Sequence, residues 1–444
     1  MTQKDNLDHV VTGTSVAAVT AYEQALHQFQ CYIGDPVAII DKALADSPSF
    51  VMGYALHAYL HLLGTEPMAL PVARADLETA RKLPANSRER GHLTAIGCLL
   101  DGEWHAAGRV LEDLAIEHPR DALALQAGHL VDFYTGRSRM LRDRIARALP
   151  DWSPDMPGYH ALLGMHAFGL EETGLYGRAE AVGRKAVELE ARDGWAQHAV
   201  AHVLEMQGRQ RDGIAWMRAN LEHWAQDSFF AVHNWWHLAL YHLDLEEMDE
   251  VLALYDGPIY GPQSKVVLDM VDASALLWRL HLRGVDVGDR WQAVADAWAP
   301  IAAAGDYAFN DVHAMMAFVG ANRPQAAGAL LEAQERAVRG AGDNVLFTRE
   351  VGAPLTRAIK CFGDGDYAET VRLLRPVRNH AHRFGGSHAQ RDLIDLTLIE
   401  AALRDKQAAL ARALAAERVD LKPSSPAARA LLRRAGVPAV ARAA

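Results

Sequence analysis

The sequence of 444 residues contains few cysteines. Cys31, Cys98 and Cys361 are odd in number and far apart, which argues against a disulfide framework and against a clustered thiolate metal site. Their apolar, helical-looking surroundings predict reduced, buried thiols. This pattern favours a cytoplasmic location, where thiols stay reduced.

A surplus of positive charge and a long apolar segment are also missing. The chain has 45 basic and 56 acidic residues, a net charge of −11, which offers no basic surface for nucleic acid or an anionic membrane. No stretch approaches the roughly 18 consecutive apolar residues of a membrane span. The opening residues, MTQKDNLDHVV, lack the basic and apolar regions of a secretory signal. We therefore expect no nucleic-acid partner, no membrane and no such signal.

The motifs of several enzyme classes are absent from the sequence. It contains no Gly-x-Ser-x-Gly, P-loop or dinucleotide fingerprint. The His-Glu-x-x-His signature of metalloproteases is missing too, because Ala199 follows His198 and Asn234 follows His233. An enzymatic function would therefore rest on the clustering of polar residues alone.

Helical periodicity is present along most of the chain. Apolar residues recur at spacings of three and four, Ala and Leu are frequent, and strand-like alternation is nearly absent. Gly64, Gly102, Gly136, Gly174 and Gly208 each separate two such segments, at intervals of 38, 34, 38 and 34 residues. Glycine suits the left-handed residue that ends many helices, so this spacing predicts a repeat of antiparallel helical hairpins.

The predicted fold class is all-α, a tetratricopeptide-like α-solenoid of antiparallel helical hairpins. We expect one continuous array over residues 1–435, with the best repeats at 158–255, and a frayed tail at 436–444. Beyond residue 244 the periodicity loosens, and the segment 256–263, DGPIYGPQ, is predicted to be a loop. The helices predicted in this part are Glu246–Tyr255, Lys265–Arg283, Asp289–Ala302, Phe309–Phe318, Pro324–Arg339, Val345–Phe362, Tyr367–His382, Ala389–Arg404, Lys406–Arg418 and Pro426–Arg434.

The densest polar and aromatic cluster lies at residues 195–244, where His198/His202 and His233/His237 form two pairs spaced by four. Residues four apart share a helix face, and the offset of 35 residues between the pairs is close to one hairpin. Stacked repeats would bring the two faces side by side. Because such pairs can chelate a divalent metal, these four histidines are candidate metal ligands, although no cofactor is certain.

Two metal-free interpretations of the histidine pairs remain open. The imidazoles could hydrogen-bond across helices, or they could act as acids, bases or donors to a bound ligand. A chain with 21 histidines has about one pair at this spacing by chance, and His57/His61 brings the observed number to three. The pairs alone therefore do not decide between these roles.

Further polar groups interrupt apolar helix faces near residues 160–172, 269–272, 310–313 and 385–392. Such groups must be paired or solvated, so we expect several of them to line a shared cavity. In the turn Gly385-Gly386-Ser387, the serine would cap the next helix, or the exposed N–H groups would hold an anion together with Arg391.

Six segments, taken in order, resemble the tetratricopeptide repeat protein 38 family. The resemblance extends over about residues 30–435 and is strongest at 158–320. The segments are HAFGLEETGLYGRAE, DGWAQHAVAHVLEMQGRQRDGIAWM, VHNWWHLALYHLD, VDASALLWRLHLRGVDVGDRWQ, FNDVHAMMAF and GGSHAQRD. The resemblance implies an all-α tetratricopeptide-like array, and it does not indicate a particular biochemical activity.

The residues that coincide with the family pattern, together with Trp236 from the aromatic cluster, form the candidate site. The catalytic candidates are His198, His202, Glu205, His233, His237, Asp311 and His313. The ligand-binding candidates are His166, Glu171, Asn234, Trp236, Asp272, Asn310, His388, Gln390, Arg391 and Asp392.

The preferred functional interpretation is a concave pocket, lined by His, Asp/Glu and Trp, that binds a small polar molecule or a peptide end. One alternative is an enzyme that uses this pocket for acid/base or metal-assisted chemistry on a small molecule. Another is a scaffold that binds a protein partner or forms a homo-oligomer.

Overall fold

The computed structural model describes residues 2–436, and most of them are helical. The predicted all-α class is therefore confirmed. One short hairpin, which the sequence did not predict, pairs Thr2–Lys4 (β1) antiparallel with Val10–Thr12 (β2). Apart from Gly436, the predicted frayed tail lies outside the described residues.

The helices follow one another with short connections. The first are Val16–Cys31 (α1), Pro36–Asp46 (α2), Val51–Leu62 (α3), Leu70–Ala80 (α4), Ser87–Leu100 (α5), Trp104–Glu117 (α6), Ala122–Tyr134 (α7), Ser138–Ala148 (α8), Tyr159–Glu171 (α9), Tyr176–Leu189 (α10), Gly194–Met206 (α11), Gln210–Ala219 (α12) and Leu221–Trp224 (α13). They continue with Ala231–Asp244 (α14), Met248–Leu254 (α15), Val267–Leu282 (α16), Arg290–Trp298 (α17), Ala308–Gly320 (α18), Pro324–Ala337 (α19), Asn344–Phe347 (α20), Ala353–Gly363 (α21), Tyr367–Val377 (α22), His388–Arg404 (α23), Ala408–Leu421 (α24) and Pro426–Arg434 (α25). The last helix has its predicted bounds, and most others differ from theirs by a few residues.

Contacts divide the chain into two compact units. The first comprises residues up to Val200 together with Asn220–Ala231, and the second comprises Ala201–Ala219 together with the residues from Val232 onward. Within each unit, helices that follow one another pack as antiparallel pairs, such as α9 with α10 and α21 with α22. The prediction of one continuous array over 1–435 stays a prediction.

Left-handed residues at the hairpin tips mark the repeat. Gly102, Gly136, Gly174 and Gly208 have positive φ as predicted, whereas at the first tip Thr65 takes this conformation in place of Gly64. After Gly208 the tips are Glu246, Gly284, Asn322, Gly365 and Lys406. The repeat therefore continues beyond residue 244, where the glycine spacing no longer reveals it because other residues occupy several tips.

Two predicted segments contain a wider helical turn. The predicted loop at 256–263 begins with a π-type turn, Tyr255–Ile259, closed by the N–H of Tyr260, which donates to the carbonyl of Tyr255 at 2.9 Å. Pro258 has no N–H to donate, and the backbone dihedral angles of Gly257 lie outside the helical region, so no regular helix continues through this segment. A second π-type turn, Thr348–Gly352, joins α20 to α21 within the predicted helix 345–362.

Buried aromatic side chains hold the hairpins together in the second unit. Trp236, Trp278, Trp298 and Tyr241 are fully buried. The indole of Trp298 donates to Ser274 at 3.0 Å, and the hydroxyl of Tyr241 donates to the carbonyl of Ala201 at 2.6 Å. Large rings whose polar atoms are hydrogen-bonded, as in Trp298 and Tyr241, stabilise a core strongly.

The described helices include none with the length and apolar character needed to cross a membrane.

Close helix approach predicts opposite effects for two glycine substitutions in the first unit. A Cβ atom at Gly169 would lie 2.4 Å from the backbone nitrogen of Arg142, whereas one at Gly177 would have nothing within 4 Å. Gly169→Ala should destabilise the protein by about 1–3 kcal/mol or more, because a backbone cannot yield as a side chain does. Gly177→Ala should be neutral or stabilise it by up to about 1 kcal/mol. Urea unfolding of both variants checks this, and equal effects would contradict it.

Candidate functional site

Three histidines of the second unit come together. His202 lies on α11, and His233 and His237 lie one turn apart on α14, so that each contributes a ring nitrogen within 4.8 Å of the other two. The ring centroids of His202 and His237 are 4.4 Å apart, and those of His233 and His237 are 4.9 Å apart. The spacing of four on α14 places its two imidazoles on one face, as predicted.

Two of these imidazoles are oriented by carboxylates from neighbouring helices. Nδ1 of His233 donates to Oδ2 of Asp272, on α16, at 2.8 Å. Nδ1 of His237 donates to Oε2 of Glu205, on α11, at 3.3 Å. In each ring the opposite nitrogen, Nε2, therefore points away from its carboxylate. His237 is fully buried, while the side chain of His233 is 15 % exposed at the edge of the cluster.

Burial keeps the inner imidazoles neutral. The pKa of His202 lies well below its usual value because the ring is buried and because His237, His233 and His388 add like charge, against the opposing carboxylate of Glu205. Burial also holds the pKa of His237 well below the usual range, and His233 and Arg279 contribute in the same direction. Both rings therefore keep a lone pair at neutral pH, as a metal ligand or a general base requires.

An arginine that is not among the candidates predicted from the sequence lies beside the histidines. The guanidinium carbon of Arg279, on α16, is 5.2 Å from the ring centroid of Trp236, and the imidazole of His233 stacks on the same tryptophan with centroids 5.4 Å apart. Nη2 of Arg279 donates to the carbonyl of Ala389 at 2.6 Å. Burial lowers the pKa of Arg279 to about 10, so the group stays charged at neutral pH. A charged residue within the apolar run LLWRLHL was the only signal for it.

Asp392 belongs to a small charged cavity next to the cluster. Its two oxygens accept from Nη1 and Nη2 of Arg418 at 2.6 and 2.8 Å. Burial alone would raise the pKa of Asp392, but the charges of Arg418 and Lys422 outweigh it and hold the pKa well below the usual range. Lys422 also lies 3.6 Å from Glu205. The cavity of about 30 Å³ is large enough for roughly one water molecule.

The turn before α23 is a helix cap. The hydroxyl of Ser387 accepts from the N–H of Gln390 at 3.3 Å, and the side chain of Gln390 accepts from the N–H of Ser387 at 3.0 Å. The guanidinium of Arg391 donates to the carbonyl of Gly386. The capping interpretation is therefore confirmed, and Gln390 contributes its side-chain oxygen to the cap. His388 is the first residue of α23, and its charge contributes to the lowered pKa of His202.

The candidates on α18 have their own partners. Nδ1 of His313 donates to the carbonyl of Phe309 at 2.8 Å, and burial lowers the pKa of His313 to about 4, with a small contribution from Arg279. Asp311 is two residues away, on another face of the helix, and accepts from Nε2 of Gln334 at 3.2 Å. Asn310, the residue before Asp311, is half-buried. The structure thus places Asp311 in a polar network with α19.

The remaining candidates are buried side chains on α9, α11 and α14: His166, Glu171, His198 and Asn234. Asn234 is fully buried on α14. His166 and Glu171 lie on α9 in the first unit, where burial, with Arg178 and Arg142, lowers the pKa of His166 to about 4. His198 is on α11 one turn before His202, and in the first unit its ring stacks on Phe168 with centroids 5.4 Å apart.

Hydrogen bonding across helices is the role of other histidines in the first unit. Nδ1 of His57 donates to Asp76 at 2.7 Å, and Nε2 of His92 donates to Asp121 at 2.9 Å. Asp121 also accepts from Arg88 at 2.9 Å and from the N–H of Ala124 at 3.0 Å, where it caps α7. Hydrogen bonding across helices, one of the roles that the sequence left open for the histidine pairs, thus accounts for the contact of His57.

The buried carboxyl of Asp311 predicts a pH-dependent stability. Burial raises its pKa from 3.8 to about 7. The folded state then keeps a proton that the unfolded state loses, so stability should fall as the pH rises from about 4 to about 7. Asp311→Asn removes this loss. The difference in unfolding free energy between Asp311→Asn and the wild type should therefore grow by about 2–3 kcal/mol in favour of the variant as the pH rises from about 5 to about 8.

Urea unfolding near these two pH values measures the gain, with the exposed Asp249→Asn as the control. A constant difference between Asp311→Asn and the wild type would contradict the expected titration.

No protein-family model matches the chain. Among solved structures, the crystal structure of the yeast Tom70 is similar with 12 % sequence identity and a TM-score of 0.31, over 95 % of this chain and 87 % of that chain. The resemblance to the tetratricopeptide repeat protein 38 family stays a prediction.

Proposed function

We propose that the second unit binds a divalent transition-metal ion of the zinc class through His202, His233 and His237. The observation that carries this proposal is the convergence of three imidazole nitrogens within 4.8 Å of one another. Ligand nitrogens in a tetrahedral zinc site are about 3.4 Å apart, given Zn–N bonds of about 2.1 Å. Small rotations of the side chains would bring the three rings to that separation.

The carboxylates around the cluster support a metal site in particular. Imidazole ligands of metals nearly always donate their other ring nitrogen to a carboxylate or carbonyl, which fixes the ring and makes the ligating nitrogen more basic. His233 with Asp272 and His237 with Glu205 have this arrangement. Imidazole ligands favour zinc, copper, iron or nickel over magnesium and calcium, which prefer oxygen.

Three protein ligands would leave a coordination position for water or for a small polar molecule. A metal ion in such a position polarises a carbonyl or lowers the pKa of bound water. The charged guanidinium of Arg279 beside Trp236 would favour a ligand with an anionic group. The proposed ligand is therefore a small molecule that bears a carboxylate or carbonyl. The scaffold interpretation stays a prediction.

A second candidate function is acid/base chemistry without a metal. The pair His233–Asp272 favours it, because a partly exposed imidazole is held at 2.8 Å by a carboxylate that is nearly buried. Such a pair fixes the tautomer and stabilises the protonated ring, as a general base requires. The presence or absence of bound metal separates the two functions.

Metal analysis of purified variants tests the proposal. His202→Ala and His237→Ala should each lose one equivalent of bound Zn²⁺ after loading and dialysis, because two imidazoles hold the ion much more weakly than three. His242→Ala is the matched control, since His242 is also buried on α14 and also donates to a carboxylate, that of Glu247 at 2.6 Å. All proteins should carry Cys31→Ser, because Cys31 forms a second group of possible metal ligands with His27 and His160 in the first unit.

Two further results decide the matter. Asp272→Asn should keep the fold but weaken Zn²⁺ binding by roughly ten- to a hundred-fold, because His233 loses its orienting acceptor. If the Cys31→Ser protein retains no Zn²⁺, or if His202→Ala and His242→Ala retain equal amounts, the metal proposal is wrong and the acid/base function takes its place.

A further inference from the structure

A cavity of about 430 Å³ lies within the first unit. Its walls come from α1, from the start of α9 and from the segment between α8 and α9, and they include Leu26, His27, Gln30, Tyr159 and His160. The amide nitrogen of Gln30 is buried and has no hydrogen-bond partner. The cavity therefore combines apolar surface with an unsatisfied donor, as ligand sites do.

Two histidines that line this cavity lie close to a buried cysteine. His27 and Cys31 are four apart on α1 and share a face, and His160 is at the start of α9. Each contributes one atom to a group in which all three atoms are within 4.8 Å of one another. The sulfur of Cys31 is 4.0 Å from Nδ1 and 3.9 Å from Nε2 of His27. Sulfur and nitrogen ligands of a tetrahedral zinc ion are about 3.6 Å apart, so a small rotation of the His27 side chain would bring one of its nitrogens to that separation.

His160 is oriented for a ligand. Its Nδ1 donates to Oδ2 of Asp193 at 2.8 Å, while its Nε2 is buried without a hydrogen-bond partner. The side chain of His160 is only 10 % exposed, and leaving a polar atom unsatisfied in such a place is costly. Oδ1 of Asp193 accepts from the N–H of Ala196 at 2.8 Å and so caps α11. The carboxylate is therefore fixed by the backbone and fixes the imidazole in turn.

The three residues differ in their access to solvent. Cys31 is fully buried, whereas the side chain of His27 is 45 % exposed. Glu190 lies at the rim, 3.9 Å from Nε2 of His27. The two histidines line the cavity, so an ion that enters there would meet them first.

We propose that His27, Cys31 and His160 bind a second transition-metal ion of the zinc class, with its remaining coordination position open to the cavity. One thiolate and two imidazoles with an open position are a ligand set of catalytic zinc sites. Thiolate selects zinc or copper over magnesium and calcium. Binding releases the thiol proton of Cys31 to solvent, since only the thiolate ligates the metal.

The open position and Gln30 together indicate the class of molecule that the cavity takes. A carbonyl or carboxylate oxygen could bind the ion and also accept a hydrogen bond from the amide of Gln30. The side chains of Leu26 and Tyr159 would contact the apolar part of the same molecule. The ligand is therefore a small amphipathic carbonyl or carboxylate compound.

Cobalt substitution tests this site separately from the histidine cluster of the second unit. Co²⁺ bound to a thiolate gives a sulfur-to-metal charge-transfer absorption, whereas an all-histidine site gives none. The protein loaded with Co²⁺ should show this absorption at one equivalent, and Cys31→Ser should abolish it. Cys98→Ser and Cys361→Ser are matched controls that should keep it, because these half-buried cysteines belong to no group of metal-ligating side chains among residues 2–436.

Two more variants guard against misfolding of Cys31→Ser. His27→Ala changes a partly exposed side chain and should weaken Co²⁺ binding at least about tenfold, with an unchanged circular dichroism spectrum. Asp193→Asn should weaken it by roughly ten- to a hundred-fold, because the amide is a poorer acceptor for His160.

The proposal is wrong if the wild-type protein shows no charge-transfer absorption with Co²⁺, or if the absorption persists in Cys31→Ser. It is also wrong if His27→Ala binds Co²⁺ as tightly as the wild type. None of these results depends on the fate of the site in the second unit.

Discussion

The hydrogen bond between a buried carboxylate and an imidazole on a neighbouring helix is the interaction on which the polar interior depends. A helical array buries its inner faces in apolar surroundings, where an unpaired charge or imidazole is costly. Pairing offsets that cost and fixes the ring. Among the described residues, such pairs include His57–Asp76, His92–Asp121, His160–Asp193, His233–Asp272 and His237–Glu205. They stabilise the fold wherever they occur, and we propose that they also orient ligands where a second polar side chain lies next to the ring.

A second polar side chain next to the ring distinguishes a candidate ligand from a histidine with a structural role only. His92 donates to Asp121 and is surrounded by fixed protein partners, so it has a structural role. His160 forms the same kind of bond, but its other nitrogen has no hydrogen-bond partner, and the residue lines a cavity and lies close to Cys31. The two proposed metal sites therefore use an arrangement that is already present for stability. A new site requires only a few further ligands beside an existing pair.

Helical periodicity and glycine spacing predicted the class and most helices, because both signals are local. The tips at Glu246, Asn322 and Lys406 could not be predicted from glycine spacing, because non-glycine residues adopt the left-handed conformation there. The histidine pair on α14 could be predicted from local sequence, since residues four apart share a helix face. Its carboxylate partner Asp272 was named as a candidate, but their contact depends on packing between helices far apart in sequence.

Arg279 and the group around Cys31 were missed for a different reason. A single arginine in an apolar helix is a weak sequence signal, and Cys31 was interpreted as a reduced, buried thiol because the cysteines are far apart in the sequence. His160 is more than a hundred residues from Cys31 in the sequence. No spacing rule connects them, and only the packing of α9 against its neighbours brings the imidazole to the sulfur.

The N-cap of α11 shows how one contact can narrow the choice of residue at a position. Serine, threonine, asparagine and aspartate are all good caps, so helix formation alone would tolerate any of them at residue 193. Asp193, however, accepts from a backbone N–H with one oxygen and from His160 with the other. Only a carboxylate of this length satisfies both donors. The amino acid permitted at this helix end is thus determined by an imidazole on another helix.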